Sequence, residues 1–310
     1  MLLILIFAIG LAAGFVDAIA GGGGLIMLPG LLFTGLPVSS AIATNKLCGT
    51  FGALTSSLKF AQSQQIDARA CAVMGIPVLL GGYAGSRSIG LLPNTWAEPL
   101  VIVLMVAITL FVIFNPGFGM TKRGIAQSDP PQNLAAHQQQ QQPANSPYIN
   151  QQPANQQPVN QQPANQQRAN QQRANQQPAN QQPANQQRAK RIVLSILFGC
   201  LIGFHDGFFG PGTGVFLVFV LLSLWPLDFL RATGTAKVLN LLTNAIALAT
   251  FATTGMIDYP KGLAGAFGVG IGSFLGATFA TQKGAKVIKP IFIAVTTTLI
   301  SKLLLDYATR

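Results

Sequence analysis

The sequence predicts an all-α, polytopic membrane protein built from two similar helical repeats, and three observations carry that prediction. Half of the residues are apolar and only 9% are charged, against roughly 25% charged in soluble domains. The apolar residues gather into stretches long enough to cross lipid, which takes about 20 residues of helix. One motif also occurs twice: Gly14-Phe15-Val16-Asp17 leads into Gly21 to Gly24, and Gly203-Phe204-His205-Asp206 leads into Gly210-Pro211-Gly212-Thr213.

Two hydrophobic blocks, 1–116 and 190–310, flank a polar segment at 117–189. By length and hydropathy the first block offers spans near 1–35, 39–61, 68–91 and 95–115. The second offers 191–224, 229–254, 262–281 and 286–307. The opening stretch of each block is too long for one span and barely long enough for two. Each is interrupted by its glycine run, so a broken helix or a re-entrant hairpin fits. Each repeat therefore holds four spans, or five crossings if the broken first helix counts twice. Four would make the repeats parallel and five would make them inverted; the sequence leaves both open.

The first span starts at the N-terminus. Met1 to Gly10 lacks a basic leading segment and its apolar run continues past any cleavage point, so it reads as a retained span. The central segment carries a pentapeptide array, Gln-Gln-Pro-Ala-Asn with Val or Arg variants, from Gln151 to Lys190. Proline in most of the pentapeptides forbids a continuous helix, and almost nothing there can form a core. A disordered spacer is expected.

The repeat extends beyond its motif. Pro37 matches Pro226 at the separation that relates Asp17 to Asp206. After a two-residue insertion Thr44-Asn45-Lys46 aligns with Thr235-Ala236-Lys237, and Gly81 and Gly85 with Gly272 and Gly276. The last two pairs are GxxxG spacings suited to close helix packing in lipid.

The chemistry-bearing residues sit at these matched places. Gly21, Gly22, Gly23 and Gly24, like Gly210, Gly212 and Thr213, can unwind the backbone so that free N–H groups at a half-helix N-terminus face an anion. A packing role for the glycines is the plainer alternative. Asp17 and Asp206 place carboxylates inside apolar segments, where an ionised group is costly unless paired, hydrated or neutralised. They could carry a coupling proton, with His205 tuning it, or merely cap the broken helices. Lys46 and Lys237 fall early in the span after each break, with Asn45, Asn240 and Asn244 nearby. They could snorkel to headgroups, pair with the aspartates, or supply positive charge to a small anion.

Other features read as structural. Cys48, Cys71 and Cys200 are far apart and fit neither a disulfide framework nor a zinc site. Trp96 and Trp225 suit an interfacial belt. Lys283, Lys286 and Lys289 suggest one face together with Arg87; Lys59, Arg69, Lys122, Arg123, Lys190 and Arg191 fall on the other if each block crosses four times. The net charge of +11 is scattered through short loops and the linker, which points to lipid headgroups rather than nucleic acid. Neither a nucleotide loop nor a hydrolase motif is present.

At these residues the chain resembles the sulfite exporter TauE/SafE family of membrane anion transporters. The resemblance rests on GFVDAIAGGGGLIMLPGLL from Gly14, TNKLCGTFGALTSS from Thr44, GFHDGFFGPGTGVFL from Gly203, ATGTAKVLNLLTN from Ala232, and GYAGSR at 82–87. It covers nearly all of the chain except about 117–189. It implies a duplicated, all-helical, multi-pass inner-membrane protein that moves small sulfur-containing or organic anions such as sulfite or sulfoacetate and is not an enzyme. No cofactor is expected, and the partners are the anion and membrane lipids. The expected function is secondary transport coupled to protons or to the substrate gradient, with a site between the halves. The competing reading is a non-transporting membrane scaffold that recruits a partner through the linker.

Overall fold

A computed structural model of the chain describes residues 1–89 and 184–283. They form eight helices: α1 Leu2–Ala20, α2 Gly24–Leu32, α3 Val38–Gln62, α4 Ala68–Ile89, α5 Ala184–Phe208, α6 Thr213–Leu224, α7 Phe229–Ala252 and α8 Tyr259–Lys283. The expected spans at 95–115 and 286–307 and most of the pentapeptide array lie outside the described residues. All of these helices belong to one compact unit, Met1–Gln127 with Lys190–Arg310, except for the first residues of α5. Those residues fall in a second unit, Ser128–Ala189, of which only 184–189 are described and are helical.

Helix α5 begins inside the segment read as linker. Its start follows Pro183, the last proline of the array. Beyond that residue Ala, Gln, Arg and Lys are all good helix formers, so nothing delays the helix until residue 190. The bar on helix set by regular proline ends with the last proline.

Among the described residues five helices are long and apolar enough to cross a membrane: α1, α4, most of α5, α7 and α8. Their outward faces carry exposed Ile4, Leu80, Leu197, Phe267 and Ile271 among others, as lipid contact requires. Helix α3 is long enough, at 25 residues, but Thr44, Asn45, Lys46, Ser56 and Ser57 are buried on it. That polar face is turned inward, while Leu54 and Leu58 on the same helix stay exposed. Helix α2, with 9 residues, spans about 14 Å, less than half the hydrocarbon thickness.

The breaks are turns back. Gly21 closes α1 in the left-handed conformation, at φ 72°, with its N–H donating to the Asp17 carbonyl. That is how a glycine C-cap satisfies a terminal carbonyl. Gly23 then lies against Ala13, and Gly30 against Ile9, so α2 folds back along α1.

Inter-helix contacts fix the directions. Helix α1 runs parallel to α8, with Gly10 against Gly265 and Gly14 against Val269; Gly272 and Gly276 press on the carbonyls of Leu11 and Phe15. Helices α5 and α4 repeat this, with Gly81 and Gly85 on the carbonyls of Cys200 and Phe204. Helix α3 is parallel to α8, as Gly52 meets Val269 and the Lys59 ammonium sits 5.7 Å above the Phe274 ring. It is antiparallel to α7: Gly49 meets Asn244, whereas Gly234 meets Phe60.

The loops are tied in matched fashion. The Asp67 N–H donates to Thr235 Oγ1 at 2.9 Å, and the Asp258 N–H donates to Thr44 Oγ1 at 3.0 Å. Each of these aspartates also caps the helix it precedes, accepting the N–H of Ala70 or Lys261. Equivalent helices thus point in opposite directions. Lys283, at the end of α8, therefore lies on the side of Lys59 and not with Arg87, correcting the grouping drawn from four parallel crossings. Trp225 differs from the belt expectation as well. It is buried, donates to Ser195 Oγ at 3.1 Å and lies under the Arg191 guanidinium at 4.8 Å. Trp96 lies outside the described residues.

Candidate functional site

Two ion pairs join the halves crosswise. The Lys46 ammonium on α3 lies 3.0 Å from Asp206 Oδ1 on α5, with side-chain exposures of 1% and 2%. The Lys237 ammonium on α7 donates to Asp17 Oδ2 on α1 at 2.8 Å. Each lysine has left its own half to meet the acid of the other. Burying either charge alone would cost several kcal/mol, which pairing offsets. Because both lysines are matched by carboxylates, the four side chains carry no net charge.

The breaks make room for these contacts. Gly210 holds φ 99°, and a Cβ there would stand 2.8 Å from the Lys46 nitrogen. A Cβ on Gly21 would come within 2.6 Å of Gly214, so the two interruptions touch each other. Glycine is required at both for space and for the left-handed backbone.

Between them lies a cavity of about 40 Å³, enough for roughly two or three waters or one small ion. From the first half Asp17, Gly21, Gly23, Gly24, Asn45 and Lys46 line it; from the second, Asp206, Gly210 and Gly212 do. Gly22, His205, Thr213 and Lys237 do not line it. Lys237 is held by Asp17, and Thr213 opens α6 with its hydroxyl donating to the Gly210 carbonyl at 2.7 Å. That donation leaves the Thr213 oxygen to accept from His205 Nδ1 at 3.3 Å. The imidazole Nε2 is then a bare acceptor, buried and without a hydrogen-bond partner among the described residues. Phe209 and Phe216 meet the ring edge-on.

Asp17 uses both oxygens: Oδ1 accepts the Gly23 N–H at 3.1 Å while Oδ2 accepts Lys237. The cap expected of the aspartates and the ion pair expected of the lysines occur together in this one side chain. First-turn N–H groups of α2 and α6 have no acceptor within their own helices, and Gly24 and Gly214, at the starts of these helices, line the cavity. Asn240 and Asn244 complete that wall, locked by Asn244 Nδ2 donating to the Asn240 carbonyl and side-chain oxygens at 2.8 and 3.1 Å.

Cys48, Gly49 and Gly214 also line the cavity and were not singled out from the sequence. Cys48 is buried, in keeping with a structural cysteine. Gly49 had a signal: it stands one turn past Lys46, where Asn240 stands past Lys237. Among the described residues no group of three or more metal-ligating side chains occurs.

Long apolar helices, short returns between them and a cavity lined by charged and polar side chains where the returns meet define a multi-pass membrane protein. Residues 6–303 match the sulfite exporter TauE/SafE family, and the chain belongs to that family of membrane transporters. It is 28% identical over 305 residues to a probable membrane transporter protein of Haemophilus influenzae, covering 98% of this chain and 95% of that one. A probable membrane transporter protein ORF9 of a Sinorhizobium species is 27% identical, with 98% and 93% covered. The probable membrane transporter protein YfcA of Escherichia coli K12 is 23% identical, with 99% and 91% covered. No solved structure gives a significant match.

Proposed function

We propose that this protein is a secondary carrier of small anions, sulfite or organic sulfonates and carboxylates, in the inner membrane. Its two inverted halves would enclose the anion where the glycine breaks meet. The crossed ion pairs carry this reading, because Lys46, the lysine at the cavity, must give up a carboxylate of the opposite half to accept another anion. Binding and relative movement of the halves are thereby the same event, which is what alternating access by rocking demands. Backbone N–H groups of Gly24, Gly212 and Gly214 supply neutral donors, and Lys46 supplies the charge. Asp17, Asp206 and His205 are the candidate proton carriers. The family's name, sulfite exporter, favours a sulfur oxyanion.

Uptake of sulfite, methanesulfonate and acetate into vesicles containing the purified chain tests this. Wild type is expected to move at least one of them, and Lys46→Ala or Lys237→Ala to lower that flux at least tenfold at equal protein. Equal flux in both variants removes lysine from the mechanism.

A further inference from the structure

The two matched aspartates are not equivalent, and the difference lies in the backbone of the breaks. Gly23 and Gly212 occupy matching positions, yet Gly23 is right-handed at φ −58° and Gly212 left-handed at φ 84°. The right-handed turn aims the Gly23 N–H at Asp17 Oδ1. In the second half the preceding residue is Pro211, which has no N–H to offer, and no donor reaches Asp206 Oδ2. That oxygen is buried and without a hydrogen-bond partner among the described residues. Asp206 and Lys46 both line the cavity, whereas Lys237 does not.

We infer that Asp206 is the residue whose protonation releases Lys46 to an incoming anion, and that Asp17 is a fixed positioning residue. This rests on the carrier reading above. Each oxygen of Asp17 already accepts a donor, the N–H of Gly23 or the ammonium of Lys237, so a proton there would have to share an oxygen with one of them. Asp206 can take one on Oδ2 with no hydrogen bond broken. Among the described residues the other titratable groups around it are Lys46 and Cys48 from α3, Asp17 from α1 across the cavity, and His205 beside it with Nδ1 turned to Thr213.

The charges balance. A proton from water neutralises the Asp206 carboxylate, Lys46 stays an ammonium, and a monovalent anion replaces the lost counter-charge. Release on the far side returns the proton and restores the pair. One proton accompanies each monoanion.

The test uses the full chain in proteoliposomes, with an internal pH dye and methanesulfonate as probe, because a sulfonate stays ionised near neutral pH and contributes no proton. Sulfite serves as a second probe, compared across variants so that its own titration is common to all. Wild type should move protons and methanesulfonate in a ratio near one. Asp206→Asn should lower the protons moved per anion at least tenfold and flatten the pH dependence of uptake. Asp17→Asn should keep the ratio near one whatever its rate. An unaltered ratio in Asp206→Asn, or a lost one in Asp17→Asn, overturns the assignment. If Asp206→Asn does not fold, infrared spectra decide: methanesulfonate should raise a protonated-carboxyl band in wild type that persists in Asp17→Asn, and its absence from wild type, or its loss in Asp17→Asn, contradicts the proposal. If wild type moves neither probe nor acetate, the carrier reading itself falls and takes this inference with it.

Discussion

Lys46 is among the largest fully buried side chains of the described residues, and its exposure is 1%. Its ammonium has one carboxylate partner, so its stability contribution is conditional on that partner. Lys46→Met should cost about 3–5 kcal/mol because it strands Asp206. The double variant Lys46→Met with Asp206→Leu should recover most of that, since apolar replacement of a whole buried pair is often neutral. Chemical denaturation in detergent measures both; a double variant no more stable than the single would contradict the pairing. Much of this was legible in the sequence, because lysine and aspartate recur at matched positions inside apolar segments. The crossing was not. An internal match aligns Lys46 with Lys237 but carries no information on which aspartate each one meets. Nor does it show that Asp17 is satisfied twice and Asp206 once, since that follows from the sign of φ at Gly23 and Gly212.

At the scale of elements, helix contact is set by where glycine removes a side chain. Gly272 lies against the Leu11 carbonyl, whereas a Cβ on Gly270 would find ordinary neighbours at 3.7 and 3.9 Å. Gly272→Ala should therefore push α1 from α8 and lower the melting temperature by several degrees. Gly270→Ala should be neutral or stabilising by up to about 1 kcal/mol, the helix propensity difference. Thermal melts of the two variants check this, and equal melting would deny the close approach. The GxxxG spacings announced tight packing from sequence alone, but not that the partners are Leu11 and Phe15 of the other half. The glycine breaks were legible as interruptions; the return of α2 along α1 depends on contacts such as Gly30 with Ile9. Helix α3 was legible by length, although its buried polar face takes it out of a composition-based count.

At the scale of the whole molecule, the antiparallel relation of α3 and α7 puts matched loops on opposite sides of the membrane. Gln62 and Thr253 end these helices and are exposed. With Cys71 and Cys200 replaced, Gln62→Cys and Thr253→Cys should each react with an impermeant thiol reagent from one side only, and from opposite sides. Labelling from the same side would return the halves to a parallel arrangement. Sequence could not decide this, because helix count depends on whether a half-length return is taken as a crossing. Family membership, by contrast, was legible throughout, since the motifs at Gly14, Thr44, Gly203 and Ala232 are contiguous strings.

The central claim is that an anion crosses by taking the place of a carboxylate beside Lys46. Sulfite flux into proteoliposomes, compared between wild type and the charge-neutral double variant Lys46→Gln with Asp206→Asn, tests it most directly. At matched melting temperature the flux should fall at least tenfold. Flux equal to wild type would mean that the anion does not pass by this pair.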